Sequence, residues 1–379
     1  MSNRDSKAAR PAIAGRVVGR GAAEIWGMSS EQRLQRLFAR LGIAVEAGSA
    51  DGQVLVRADF VTDEALIRDL AVAPRTALTT EDGAALVAVH APAAEAGVAA
   101  TALIEGNAAG LPQTYRLLPP SALSSSYNAK LRKRMQPLLE PLTAAKAPMI
   151  EARMFTGAYK GATDLVTKYV WPRPALTVTR WCARAGISPN AVTWVSLGCV
   201  IAAFWLFWQG AFIAGLAFAW MMCFLDTVDG KLARVTLTST KLGDVFDHGI
   251  DLVHPPFWYY AWGVGLSGPT LTPEIAALVA VIVAGYVIGR LQEGFFIWRF
   301  GLEIHIWRPV DTWFRLITAR RNPNLILLMA FAMVGRPDLG LWSVALWTAA
   351  SLGFHFLRIA QAAVAKRRGP IASWLAEPA

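Results

Sequence analysis

Apolar positions in the first 105 or so residues recur at two spacings. In SSEQRLQRLFARLGI (29–43), Leu34, Leu37, Phe38 and Leu41 fall three and four apart. That spacing predicts an amphipathic helix, and Ser29 with Gln32 forms a capping-box pattern at its start. QVLVRADFV (53–61) and ALVAVHAP (85–92) are short, continuously apolar runs, as expected of buried strands. TDEALIRDL (62–70) between them reads as a short helix with Thr62 as its cap. Strands alternating with helices predict a small α/β domain with a mainly parallel sheet over 1–106. NAAGLPQTYRLLPPSALSSS (107–126) is rich in Pro, Ser and Gly and reads as a linker. NAKLRKRMQPLLEPL (128–142) reads as a basic helix, which completes a connecting segment over 107–150.

The pattern changes beyond residue 150. WPRPALTVTRWCARAG (171–186), with Trp171, Trp181 and several basic residues, reads as a helix lying at a membrane surface, so 151–187 is expected to be juxtamembrane. Over 188–369 six apolar stretches follow, near 190–208, 211–229, 248–268, 273–298, 323–335 and 339–360. They predict an all-α membrane domain of six spans. The fifth is short for roughly 30 Å of hydrocarbon.

Composition agrees with this division. The 379 residues are 54% hydrophobic, only 17% charged, and include 15 tryptophans, yet the net charge is +10. A basic balance on so apolar a chain fits a membrane protein with basic cytoplasmic edges, and no nucleic-acid partner is expected. Arg180 and Arg184 precede the first span. Lys231, Arg234 and Lys241 separate the second from the third, and Arg299, Arg308, Arg315, Arg320 and Arg321 separate the fourth from the fifth. Lys366, Arg367 and Arg368 follow the sixth. The opposite loops carry little beyond Arg336, so both termini are expected in the cytoplasm. MSNRDSKAARPAIAGR (1–16) lacks the apolar run of a secretory signal. Cys182, Cys199 and Cys223 are scattered through apolar segments and read as small core residues.

Against this apolar background, four aspartates stand at the junction of the second and third spans. Asp226 and Asp229 are three apart, and Asp247 and Asp251 four apart, so on helices each pair shares a face. Carboxylates brought that close repel, and near a bilayer they are costly, which marks them as functional. Divalent cations would resolve the repulsion. All-oxygen ligands without a cysteine or histidine cluster favour Mg²⁺ or Mn²⁺. Gly230, Ala233 and Gly243 leave room for a ligand to approach the backbone, and Arg234 suits a phosphate. Metal, phosphate and a cramped pocket together point to a nucleoside diphosphate. An intramembrane cation pathway also uses aspartates, but would not require the small residues. His248 and His254 flank the aspartates without metal-ligand spacing, while His90, His305 and His355 read as surface or core residues.

Asp226, Asp229, Gly230, Ala233, Arg234, Gly243, Asp247 and Asp251 fit D-x2-D-G-x2-A-R-x8-G-x3-D-x3-D without departure. This pattern resembles the signature of the CDP-alcohol phosphotransferase family, and SPNAVT (188–193) resembles the start of that family's first span. The resemblance implies a six-helix membrane enzyme, usually a homodimer, with a site facing the cytoplasm. A CDP-linked donor, here expected to be CDP-diacylglycerol, would pass its phosphoryl-alcohol part to an acceptor hydroxyl and release CMP. Asp226, Asp229, Asp247 and in part Asp251 would hold two Mg²⁺ or Mn²⁺ ions, with Asp251 chiefly the general base. Gly230, Ala233, Arg234 and Gly243 would form the nucleotide site. Arg290, inside an apolar stretch, and Arg308, Arg315, Arg320 and Arg321 are candidates for an anionic acceptor pocket.

YKGATDLVTKYVWPRPA (159–175) and HIWRPVDTWFRLITARRNPNLILL (305–328) resemble a bacterial subfamily with a fused nucleotidyltransferase-like front domain, so a bacterial inner membrane is expected. The front domain resembles a cytidylyltransferase whose site has worn away. In GRVVGRGAAEIWG (15–27) Gly19 and Gly21 remain, with Arg16 and Arg20, but the glycine-dense loop and its lysine are missing. Asp59 stands where a metal-binding aspartate would be, and the domain is expected to be inactive. Two alternatives stay open. One is transfer from CDP-inositol or another soluble CDP-polyol to a phosphorylated polyol or lipid alcohol; the other is a non-catalytic membrane scaffold.

Overall fold

A computed structural model describes residues 13–45, 50–128 and 131–376, and leaves aside the side chain of Asp244. The leading residues 1–12, most of the stretch read as lacking a secretory signal, lie outside the described ones. The chain divides into two compact units. One holds the residues up to 128 together with 134–157 and 235–238, and the other holds the remainder.

The front unit is built on a six-stranded sheet in the order β2-β1-β3-β6-β5-β7. Its strands are β1 (Ile13–Val18), β2 (Ala44–Val45), β3 (Gly52–Arg57), β5 (Thr76–Thr79), β6 (Leu86–Pro92) and β7 (Arg116–Leu118). A separate strand, β4 (Phe60–Thr62), follows β3. Alternate residues of the sheet supply two cores. Leu55 and Val89 pack with Ala99 and Leu103 of helix α3 (Ala96–Glu105). Val54, Val56 and Ala88 pack with Phe38 of α1 (Ser30–Leu41) and Ile67 of α2 (Glu64–Ala71). The capping box forms as expected, with the Gln32 amide donating to Ser29 Oγ and Gln32 Oε1 accepting from the Ser29 amide.

The direction of the strands departs from expectation. β1 runs parallel to β2 and β3, but β6 is antiparallel to both β3 and β5, so the sheet is mixed and not mainly parallel. Residues 80–85 close a β5–β6 hairpin around Gly83, whose φ of +72° lies in the left-handed region. Apolar runs do not reveal strand direction; the turn around Gly83 does. Part of the expected linker is sheet, since Arg116–Leu118 pairs with β5 as an edge strand, followed by the one-turn helix α4 (Pro120–Leu123). No helix forms among the described residues of 128–142. Short strands β8 (Tyr127–Asn128), β9 (Lys133–Arg134) and β10 (Leu139–Pro141) stand there instead. β10 pairs antiparallel with β4, which buries Thr62 in a strand and moves the α2 cap to Asp63. The Asp63 carboxylate accepts from the Leu138 amide at 2.6 Å. Helix α5 (Ala147–Gly157) closes the unit.

The second unit is helical. Its elements are α6 (Pro172–Arg184), α7 (Pro189–Trp208), α8 (Phe212–Val235), α9 (Lys241–Ser267), α10 (Pro273–Phe300), α11 (Pro309–Arg315), α12 (Arg321–Met333) and α13 (Pro337–Arg368). Helices occupy all six places read as spans. Among the described residues four of them, α7, α8, α10 and α13, are long and apolar enough to cross a membrane. α9 is interrupted by aspartates, histidines and Pro255–Pro256, and the 13 residues of α12 extend only about 20 Å. Small residues let the helices approach closely. A Cβ on Gly285 of α10 would lie 2.3 Å from a Thr348 methyl of α13, and one on Gly265 of α9 would meet the Phe207 carbonyl of α7. Trp258 and Trp262 bury their rings in this core and donate to the carbonyls of Val200 and Pro337. The three cysteines are buried and unpaired with one another, in keeping with core roles.

Candidate functional site

Helices α8 and α9 carry the four signature aspartates within their regular turns, so the spacings of three and four place each pair on one face. Carboxylate oxygens of Asp226, Asp229 and Asp247 lie within 4.8 Å of one another. Asp229 is the most enclosed, at 3% exposure, and its Oδ2 accepts from Thr193 Oγ1 of α7 at 2.7 Å. Thr193 belongs to the SPNAVT stretch, whose Ser188 caps α7 by accepting from the Ala191 amide. The same helix start brings Asn190 beside Gly243, where a Cβ would lie 2.9 Å from Asn190 Oδ1 and 3.0 Å from Thr240 Oγ1. A Cβ on Gly230 would lie 3.1 Å from the Arg234 guanidinium. A Cβ at Gly243 would therefore clash with its polar neighbours, and one at Gly230 would need the Arg234 side chain to give slightly.

Asp251 lies beside Asp226, the two carboxylates sharing one arginine. Arg321, the first residue of α12, donates through Nη1 to Asp251 Oδ1 and through Nη2 to Asp226 Oδ2 at 2.6 Å. The backbone around Asp251 is also unusual. Pro255 and Pro256 lack the amides that would bond the carbonyls of Asp251 and Leu252. The Tyr286 hydroxyl of α10 takes their place, donating to Leu252 O at 2.9 Å and lying 3.4 Å from Asp251 O. His248 is exposed, its Nδ1 3.9 Å from an Asp247 carboxylate oxygen, whereas His254 turns back to the Ile250 carbonyl.

The five arginines named for an acceptor do not form one pocket. Arg321 lies among the aspartates. Arg290 and Arg320 converge on Glu293 of α10, Arg290 Nη1 at 3.4 Å, and His305 Nε2 lies 3.2 Å from the same carboxylate. Burial lowers His305 to about 3, so it is neutral at pH 7. Arg315 is near this group electrostatically: burial and then the Arg320 charge lower it to about 9, and its Nη1 is buried without a partner. Arg308 is exposed and lies against the Trp307 ring, outside the cluster. A cavity lined by Gly289, Arg290, Glu293, Arg320, Thr348 and His355 has a volume of about 20 Å³, room for a single water. Both His355 nitrogens and Thr348 Oγ1 are buried there without partners. Sequence reasoning does not find Glu293, His305, Thr193 or Tyr286. The only available signal is the three-residue offset of Glu293 from Arg290 within an apolar span.

In the front unit, Asp59 is engaged by Arg57 through two hydrogen bonds, at 2.9 and 2.6 Å. Gly19 follows β1 with φ +77°, and the Gly21 amide donates to Glu31 Oε1 at 2.9 Å. That bond holds Glu31 below its ordinary carboxylate range. Arg16 and Arg20 are exposed.

The family model for CDP-alcohol phosphatidyltransferase matches residues 186–354, which contain the aspartate cluster and most of the helical unit. Residues 186–354 are thus similar to a CDP-alcohol phosphatidyltransferase domain. Cholinephosphotransferase 1 of Danio rerio is 27% identical over 129 residues, which cover 31% of this chain and 32% of that protein. The chain thus matches about a third of that relative's length. The matched region holds helices long and apolar enough to cross a membrane, as expected of an integral membrane domain.

Proposed function

We propose that the protein transfers a phosphoryl-alcohol group from CDP-diacylglycerol to an acceptor hydroxyl, releasing CMP, in phospholipid synthesis. The observation that carries this reading is the convergence of Asp226, Asp229 and Asp247 inside a domain of this family. Three carboxylates with no cysteine or histidine among them suit a hard divalent cation. Asp226, Asp229 and Asp247 would hold Mg²⁺ or Mn²⁺, which supplies polarisation of the phosphoryl group and stabilisation of the leaving CMP. Gly230, Ala233, Gly243 and Arg234 border the nucleotide. Asp251 accepts the proton of the acceptor hydroxyl, whose oxygen attacks the phosphorus bearing the alcohol. The bond to the CMP phosphate oxygen breaks and CMP leaves. Arg290, Arg315 and Arg320 form the acceptor's anion-binding side, in a pocket that must widen beyond one water's volume to admit it. All six helices read as spans, the short α12 included, cross a bacterial inner membrane in a homodimer, with the basic segments and the site facing the cytoplasm.

The fused α/β unit favours a second donor, CDP-inositol or another soluble CDP-polyol. The Arg57–Asp59 pair weighs against that unit making such a donor, because it occupies the carboxylate a metal would need. We therefore read the front unit as inactive. Incubating the purified chain with each donor and a panel of alcohols, with products read by mass spectrometry, tests the choice. A phosphatidylated alcohol supports the lipid donor, and an inositol-phosphate diester overturns it.

Tyr286→Phe removes the donor that replaces the missing proline amides. One lost hydrogen bond of about 1 kcal/mol predicts roughly fivefold slower CMP release. An unchanged rate in a steady-state assay would show that the Tyr286 contact does not position Asp251.

A further inference from the structure

We propose that a pocket at the C-terminal end of α13 holds the headgroup of an anionic phospholipid, at a site that shares no residue with the aspartate cluster. The pocket has a volume of about 460 Å³, within the range of small-ligand sites. Trp307, Arg308, Pro309, Arg368, Ile371 and Trp374 are among its walls, which include two arginines and no carboxylate. The nearby acid Asp311 is buried, and its oxygens accept from Arg358 Nε at 2.6 Å and Nη2 at 2.9 Å. Arg308 and Arg368 are exposed, and neither has a carboxylate partner among the described residues. The Arg308 guanidinium lies 4.5 Å from the centre of the Trp307 ring. Such a contact uses no N–H donor, so the guanidinium can still fork onto a phosphate.

The residues after α13 build one wall of the pocket. Ser373 is buried and its Oγ donates to the Ile306 carbonyl at 2.8 Å, while Trp374 Nε1 donates to Thr312 Oγ1 at 3.0 Å. Ile371 packs against the cluster of Phe296, Phe300 and Trp307. The tail is thereby fastened to the 306–312 segment, and the pocket keeps its shape without a ligand. Depth in the bilayer then selects the occupant. The 32 residues of α13 extend about 48 Å, well beyond roughly 30 Å of hydrocarbon. Its apolar stretch ends near residue 360, so Ala365 and Arg368 lie about 8 and 12 Å further along the axis, level with the headgroups. The exposed rings of Trp313 and Trp374 suit that level, where one end of an indole is apolar and the other wet. Val310 and Trp313, exposed on α11 next to Pro309, would lie against acyl chains, which a soluble anion lacks. A phosphodiester with one net negative charge complements two unpaired guanidinium groups, whereas a zwitterionic headgroup brings its own cation towards them.

Native mass spectrometry of the full-length protein, delipidated in detergent and given phosphatidylglycerol or phosphatidylcholine, tests this by the lipid retained. One phosphatidylglycerol per chain should bind at least about tenfold more tightly than phosphatidylcholine. A basic residue near such a headgroup contributes about fivefold, so Arg308→Gln combined with Arg368→Gln should weaken phosphatidylglycerol about 25-fold. Arg367→Gln, at a position that does not line the pocket, should change it less than about twofold. Glycerol phosphate at the same concentration should displace no lipid. If the double variant does not fold, Arg368→Gln alone should weaken binding about fivefold. Equal retention of the two lipids overturns the proposal, as does unchanged binding in the Arg308 and Arg368 variants. An equal loss from Arg367→Gln also overturns it, because general charge at the helix end would then suffice. Displacement by glycerol phosphate would overturn the lipid assignment in favour of a soluble phosphate ester.

Discussion

Asp251→Asn is expected to lower CMP release by about 10²–10⁴-fold, the range general-base catalysis supplies. Asparagine keeps the size of the side chain and can still accept from Arg321 through its amide oxygen, so α9 and α12 should remain in place. What it loses is the capacity to take a proton from the acceptor hydroxyl. Cytidine nucleotide binding should stay measurable, because Gly230, Ala233, Gly243 and the three converging aspartates are untouched. Calorimetric titration with CDP alongside the rate assay separates the two effects. Full turnover by the variant would remove Asp251 from its assigned role.

Asp229→Asn should act by a different route. Asp229 is the most buried of the ligand set and is oriented by Thr193 Oγ1. Asparagine preserves that hydrogen bond through Oδ1 but removes one of three negative charges. Removing even an outer partner of a metal ligand costs 10–100-fold in affinity, so loss of a ligand itself should weaken Mn²⁺ by at least about 100-fold. CMP release should then require far higher metal concentration. Metal affinity equal to wild type would show that the carboxylates serve something other than a cation.

The helical part of the fold is legible because its signals are local. Apolar stretches mark the helices at all six places read as spans, and the aspartate spacings fix which residues share a face. Ser29 and Gln32 announce the start of α1 for the same reason, since a capping box is contained in four residues. Strand direction is not local. β6 runs against β3 and β5 because of a hairpin whose glycine gives no signal in an apolar pattern, and the edge strand Arg116–Leu118 hides within a Pro- and Ser-rich stretch. The arginines show the limit most clearly. Arg308, Arg320 and Arg321 all look like basic residues at a membrane edge, yet one is exposed, one meets Glu293 and one reaches the aspartates. Arg321 lies 70 positions from Asp251 and 95 from Asp226. No spacing rule spans such distances; only the packing of α12 brings these groups together.

The central claim is metal-dependent release of CMP by the aspartate cluster. Purified protein in lipid–detergent micelles, given CDP-diacylglycerol and a mixture of alcohol acceptors, should release CMP with Mg²⁺ or Mn²⁺ present. Release should stop when a chelator is added and resume when the metal is restored. Release that persists undiminished in chelator, or is absent with every CDP-linked donor while the protein remains folded, would contradict the account.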